Sequence, residues 1–173
     1  MSDEAQLSRE AALLTARAER LRQRKEAEDE DEGIWAAEFS LGNERYALPL
    51  DRLQGCQPLK GVSPVPLARQ GVVGITRWEG KVVAVFSLST LLGLKGWRRD
   101  PAVLLFVSTA RSVVGLDCEE IPRSVLLPFQ ALASAAAGRG ALRPLSLGAD
   151  AQGAPRLVQW IDPDLVLEAR TQP

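Results

Sequence analysis

The 173 residues include no histidine. That absence removes Ser-His-Asp and Cys-His nucleophile pairs, imidazole metal sites, and the side chain that titrates unshifted near neutrality. Carboxylate, lysine and tyrosine chemistry survive the cut, yet the balance favours a protein that is not an enzyme and takes no cofactor. Cysteine is almost missing. Cys56 and Cys118 stand without CxxC spacing, which suggests neither a zinc site nor a disulfide framework. Both are expected to fill core space as small hydrophobes in a reducing cytosol. Neither sign of charge is in excess: 21 Lys and Arg against 22 Asp and Glu give a net charge of -1. General phosphate binding needs a positive field and a basic face, so nucleic acid is not an expected partner. Long apolar runs are lacking too. The longest, "AVLLFV" (102–107), is far too short to cross a bilayer, and no membrane insertion is expected. Residues 1–32 are charged throughout and carry no signal-peptide pattern, which predicts a cytoplasmic protein.

What is present divides into two textures. In residues 2–32, Leu7, Ala11, Leu14, Ala18 and Leu21 recur at steps of four and three, a seam on one helix face. The Ser2-Asp3-Glu4 start and the basic cluster Arg17, Arg20, Arg22, Arg24 and Lys25 suit the helix dipole. The expectation is an amphipathic helix that docks on its own domain, on a second copy or on a partner, with a solvated tail as the alternative. The acidic run Glu26 and Glu28 to Glu32 reads as a linker. From Trp35 onward the pattern is β. "IWAAEFSL", "RYALPL" and "LQGCQPL" predict strands, with a turn at "GNE", a strand end at Pro49 and a bulge at Gly55. A Pro-rich bend over 62–70 leads to "GVVGITRWEGKVVAVFSLSTLLGL" (71–94): strand, tight turn at Glu79-Gly80, strand, short helix.

The second half repeats the plan. "AVLLFVSTARSVVGLDC" (102–118) is again strand, turn and strand, and "APRLVQWIDPDLVLEA" (154–169) is a strand followed by a helical turn that Asp162 caps. Between them, "FQALASAAAGRG" (129–140) is a brief helix or a loop. The reading is mainly all-β: two small β modules, each too small to be comfortable alone, packed on a shared apolar seam.

Four pieces, in this order, resemble the CheW family of chemosensory adaptors: "FSLGNERYALPLDRLQGC" (39–56), "SPVPLARQGVVGITRWEGKVVAVFSLSTLLGL" (63–94), "VVGLDCEEIPRSVLL" (113–127) and "RLVQWIDPDLVL" (156–167). The resemblance implies two five-stranded SH3-like β-barrels packed on each other, preceded by the N-terminal amphipathic helix. It divides the chain into residues 1–32 and a domain at 33–169. Barrel 1 lies at about 39–95 and barrel 2 at about 100–155, with segments 34–38 and 156–169 completing the fold. It implies a non-catalytic adaptor that bridges the cytoplasmic tip of a methyl-accepting chemotaxis receptor to the regulatory domain of a CheA-type histidine kinase, recruited to receptor arrays. By the same resemblance Leu53 and Cys56 lie near a receptor groove, Ile121 on its second wall, and Val62, Pro64 and Val65 face the kinase. Gly74 matches a family glycine where a side chain would crowd the backbone.

The departures matter as much. Where the family usually reads Asn-Leu-Arg-Gly, this chain reads Arg77-Trp78-Glu79-Gly80. Ser87 and Gly55 stand where acids are usual. A tip of this composition could serve as an anion clamp with a general base, as a plain turn with Trp78 packed inward, or as a recognition edge. Trp and Arg are the residues most often found at binding hot spots, and the recognition edge is the expected answer. Glu79 in place of the family's arginine predicts altered partner discrimination. The competing expectations are an accessory or antagonist that binds one partner only, and a small-barrel module for ligands or nucleic acid. Scarce aromatics, one Tyr and four Phe, count against the last.

Overall fold

The computed structural model describes residues 33–94, 100–135, 140–149 and 153–171. The predicted N-terminal helix lies outside them. Ten strands and three α-helices follow in order: β1 (Gly33–Leu41), β2 (Glu44–Pro49), β3 (Leu53–Pro58), β4 (Val72–Trp78), β5 (Lys81–Phe86), α1 (Leu88–Leu92), β6 (Val103–Ser108), β7 (Val113–Cys118), β8 (Arg123–Pro128), α2 (Phe129–Ala135), β9 (Leu142–Ala149), β10 (Pro155–Ile161) and α3 (Pro163–Thr171). Each hairpin predicted from local pattern forms. β1 and β2 meet from Ala36 opposite Pro49 to Leu41 opposite Glu44, β4 and β5 close at Trp78 opposite Lys81, and β6 pairs with β7. Pro49 ends its strand, and the register of β3 slips between Leu53 and Gly55. Asp162 caps α3, its Oδ1 accepting from the N–H groups of Asp164 and Leu165.

The two sheets do not follow the two halves of the chain. One has the order β8-β1-β2-β10-β9 and the other β3-β6-β7-β5-β4. The division at about 39–95 and 100–155 is therefore corrected: a terminal barrel built from the first two and last three of the described strands encloses the sequence of a middle barrel. The chain crosses once at Leu50–Arg52 and returns through Glu119–Pro122. Two parallel pairings, β10 on β2 and β5 on β7, stitch the distant segments. Alternation predicts that a segment is a strand but not which strand it lies beside, so the interleaving was hidden.

The core has three compartments. Ala36, Ala47, Leu127, Leu145, Val158 and Trp160 fill the terminal barrel, while Val83, Val85, Leu104 and Phe106 fill the middle one. Between them runs the seam, where Phe39, Leu41, Tyr46 and Leu48 meet Val103, Leu105, Val107 and Leu116. This explains the unbroken apolar run of β6. Leu104 and Phe106 point into the middle barrel, and Val103, Leu105 and Val107 point into the seam, so neither face meets water. Cys118 belongs to the seam as expected. Cys56 does not: it is exposed, because β3 is an edge strand.

Candidate functional site

At the tip, Glu79 and Gly80 are the two central residues of the hairpin turn, with φ of 47° and 77°. Two successive positive φ values match the right-handed twist of the flanking strands. Alternation along β4 then sends Val73, Ile75 and Arg77 outward and Gly74, Thr76 and Trp78 inward. Trp78 stacks on Phe106 with ring centroids 4.0 Å apart and planes 12° from parallel. It is half-buried, an anchor of the middle barrel and not the exposed centre of a recognition edge. Gly55 explains how the indole fits. A Cβ there would lie 2.7 Å from Trp78 Cη2, so the ring occupies the space a side chain on β3 would need. The two edge strands of the sheet thus close upon each other through Trp78.

Gly74 behaves as its position predicts. A Cβ would stand 2.3 Å from the Ser63 carbonyl oxygen, and its absence lets the 61–65 segment pair with β4. Ser63 N–H donates to the Ile75 carbonyl at 2.8 Å, and Ile75 N–H returns a bond at 2.9 Å. Of the three residues expected to face the kinase, Val62 turns in and packs against the middle-barrel core, while Pro64 and Val65 are exposed. Next to them lies an apolar strip that motif reading missed: Val73, Ile75 and Val82 on the outer face of the β4–β5 hairpin. The signal was available, since Val73, Ile75 and Arg77 share a phase opposite to Gly74 and Thr76. Arg77 sits beside this strip, over a depression shared with Gln57, Lys60 and Ser63.

A second surface borders the seam. Leu53 and Cys56 lie opposite Val107 and Leu105, two seam residues, and cross-strand partners share a face. Leu53 is partly buried at this rim and Cys56 is open to solvent. Ile121, 66% exposed, follows β7 in the connector that leads to the terminal barrel. That connector is fixed by two carboxylates. Glu119 Oε1 accepts from Gly42 N–H and Glu120 Oε1 from Ser40 N–H, both at 3.0 Å. The predicted residues therefore fall on two faces, the seam side of β3 with its connector and the outer side of the β4–β5 hairpin, while β3 and β4 themselves adjoin where Trp78 meets Gly55.

Besides Glu119, two buried acids among the described residues escaped sequence reasoning. Asp117 Oδ1 accepts the Leu88 N–H at 2.6 Å, so a residue on β7 caps the start of α1 in the place Ser87 would hold. Burial pushes this carboxyl up to about 6, opposed by the bonds it accepts from Leu88 and Ser87. Glu38 lies between Arg45 and Arg156. An apolar cleft of about 160 Å³, walled by Val72, Phe86, Leu91, Val114 and Leu167, lies apart from all predicted residues.

Comparison with known proteins gives three findings. The family model of the CheW-like domain matches residues 36–171. No curated protein matches the sequence. Among solved structures, the scaffolding protein TtCheW from Thermoanaerobacter tengcongensis is similar with a TM-score of 0.65 and 13% identity, over 82% of this chain and 97% of its own. At that identity the likeness bears on the fold.

Proposed function

Because this chain belongs to the CheW-like domain family, a family of non-enzymatic chemotaxis scaffolds, we propose that it couples the cytoplasmic tip of a chemotaxis receptor to the regulatory domain of a CheA-type histidine kinase. The observation that carries this reading is the pair of separate exposed apolar surfaces. Cys56 at the seam rim and Ile121 in the connector after β7 are assigned to the receptor; Val65, Ile75 and Val82, with Arg77 at their edge, are assigned to the kinase. Exposed β-branched residues gathered on one sheet face, flanked by an arginine, suit a protein contact better than solvent. Both partners are in the cytoplasm, which makes the protein a cytoplasmic member of receptor arrays. Among the described residues no helix is long and apolar enough to cross a membrane.

Two charge insertions test the assignment. Val82→Glu should weaken binding to the kinase regulatory domain by about tenfold or more and leave receptor binding intact, while Ile121→Glu should do the reverse. Calorimetry against each partner from the same organism reads both. Equal loss of both partners with either variant, or loss of neither, would remove the two-surface assignment. Failure of the unmodified chain to bind any receptor or kinase domain encoded beside it would remove the adaptor reading itself. Residues 1–32 are proposed to act as a separate interaction segment through which the chain self-associates. Their deletion should then lower the mass in solution, measured by light scattering.

A further inference from the structure

One end of the terminal barrel is charged, next to its apolar core cluster. Alternation brings the charges there. Glu38 follows Ala36 on the inward face of β1, Arg45 precedes Ala47 on β2, Arg123 precedes Val125 and Leu127 on β8, and Arg156 precedes Val158 and Trp160 on β10. Together with Val125 and Leu157 they line a cup of about 440 Å³ at the barrel mouth. Mouths of β-barrels are among the places where small ligands bind.

Glu38 is 3% exposed and has both oxygens engaged: Arg45 Nη1 donates to Oε1 at 2.6 Å and Arg156 Nη2 to Oε2 at 2.5 Å. A buried carboxylate is tolerated when paired in this way, and it fixes two guanidinium groups in return. Each guanidinium carries five donors and gives one of them to Glu38 here, while both side chains remain more than 40% exposed. Arg123, the third, has no acidic partner among the described residues. One negative and three positive charges therefore converge on the cup, in a chain whose net charge is -1. Glu38 offsets one of the three, which leaves a net positive cup that attracts an anion.

We propose that the mouth of the terminal barrel binds a small multivalent oxyanion bearing phosphate or carboxylate groups. Planar guanidinium forks match both groups bidentately. The exposed Leu157 and half-buried Val125 offer an apolar wall to a short carbon skeleton. The basic residues form a cup, without the extended stripe that a nucleic acid backbone or a membrane surface would need. This site is independent of the two apolar protein-binding surfaces.

Calorimetry on the full chain with inorganic phosphate and with succinate tests it, in sodium chloride of matched ionic strength. Saturable binding of either probe supports the site, and whichever binds more tightly identifies the group recognised. Arg123→Gln should lower that affinity by about tenfold while leaving the urea midpoint in sodium chloride unchanged, since Arg123 is exposed. Arg123→Lys, which keeps the charge but loses the fork, should bind more weakly than the parent as well. Absence of saturable heat with both probes overturns the proposal. So does a heat that sodium chloride alone reproduces, or affinity unchanged in both Arg123 variants.

Discussion

Asp117 carries an electrostatic cost that the fold accepts because its carboxylate supplies the cap for α1. Its proton is held up to about 6, against 3.8 without burial. Between those values the folded chain keeps a proton that the unfolded chain has released. Stability contributed by this group therefore falls as pH rises from about 4 to about 6 and is level above that. A shift of this size corresponds to roughly 2–3 kcal/mol. Asp117→Asn retains an oxygen for the Leu88 N–H and removes the charge. The parent-minus-variant difference in urea-unfolding free energy should decline across that window; a difference that is flat from pH 4 to 7 would refute the assignment. Glu79 is a second residue-level case. A non-glycine residue at φ 47° is strained, and asparagine tolerates that region better. Glu79→Asn should raise stability by about 0.5–1 kcal/mol with the hairpin unchanged, as thermal unfolding would register.

Among the elements, the β3–β4 closure recasts two departures as one. The family resemblance leads one to expect an acid on the third strand and leucine at the second tip position; this chain has Gly55 and Trp78 instead. The indole lies where the Gly55 side chain would be, so bulk has moved from one edge strand to the other. Restoring the acid alone, Gly55→Asp, should destabilise by about 2–3 kcal/mol, because the ring is held against Phe106 and cannot swing clear. Combined with Trp78→Leu, part of the loss should be recovered, with a coupling of about 1 kcal/mol or more in a double-mutant cycle. Strictly additive losses would show that the two positions are unrelated. Sequence reading could see each hairpin, the cap at Asp162 and the bulge at Gly55, since turn residues and alternation act over a few positions. It could not see that Trp78 reaches β3, or that Asp117 serves α1 across 29 positions, because contacts of that separation leave no periodic trace.

For the molecule as a whole, the enclosed barrel means that neither half of the chain contains a complete sheet. β1 and β2 leave the terminal barrel short of three strands, and β6 and β7 alone cannot make the middle one. Fragments 33–98 and 99–171 should each be unfolded by far-ultraviolet circular dichroism, and the intact domain should unfold in one transition with fluorescence and dichroism superimposed. A structured isolated fragment would contradict this. Strand partners so distant in sequence also imply folding in milliseconds to seconds, in the slow range for domains of this size. The placement of the two thiols has a practical consequence. Cys118 is fully buried, with its ionisation pushed up to about 12, while Cys56 meets solvent beside the seam. A maleimide dye should therefore attach at a single point, turning the unmodified protein into its own optical gauge of whether the rim proposed for the receptor is occupied.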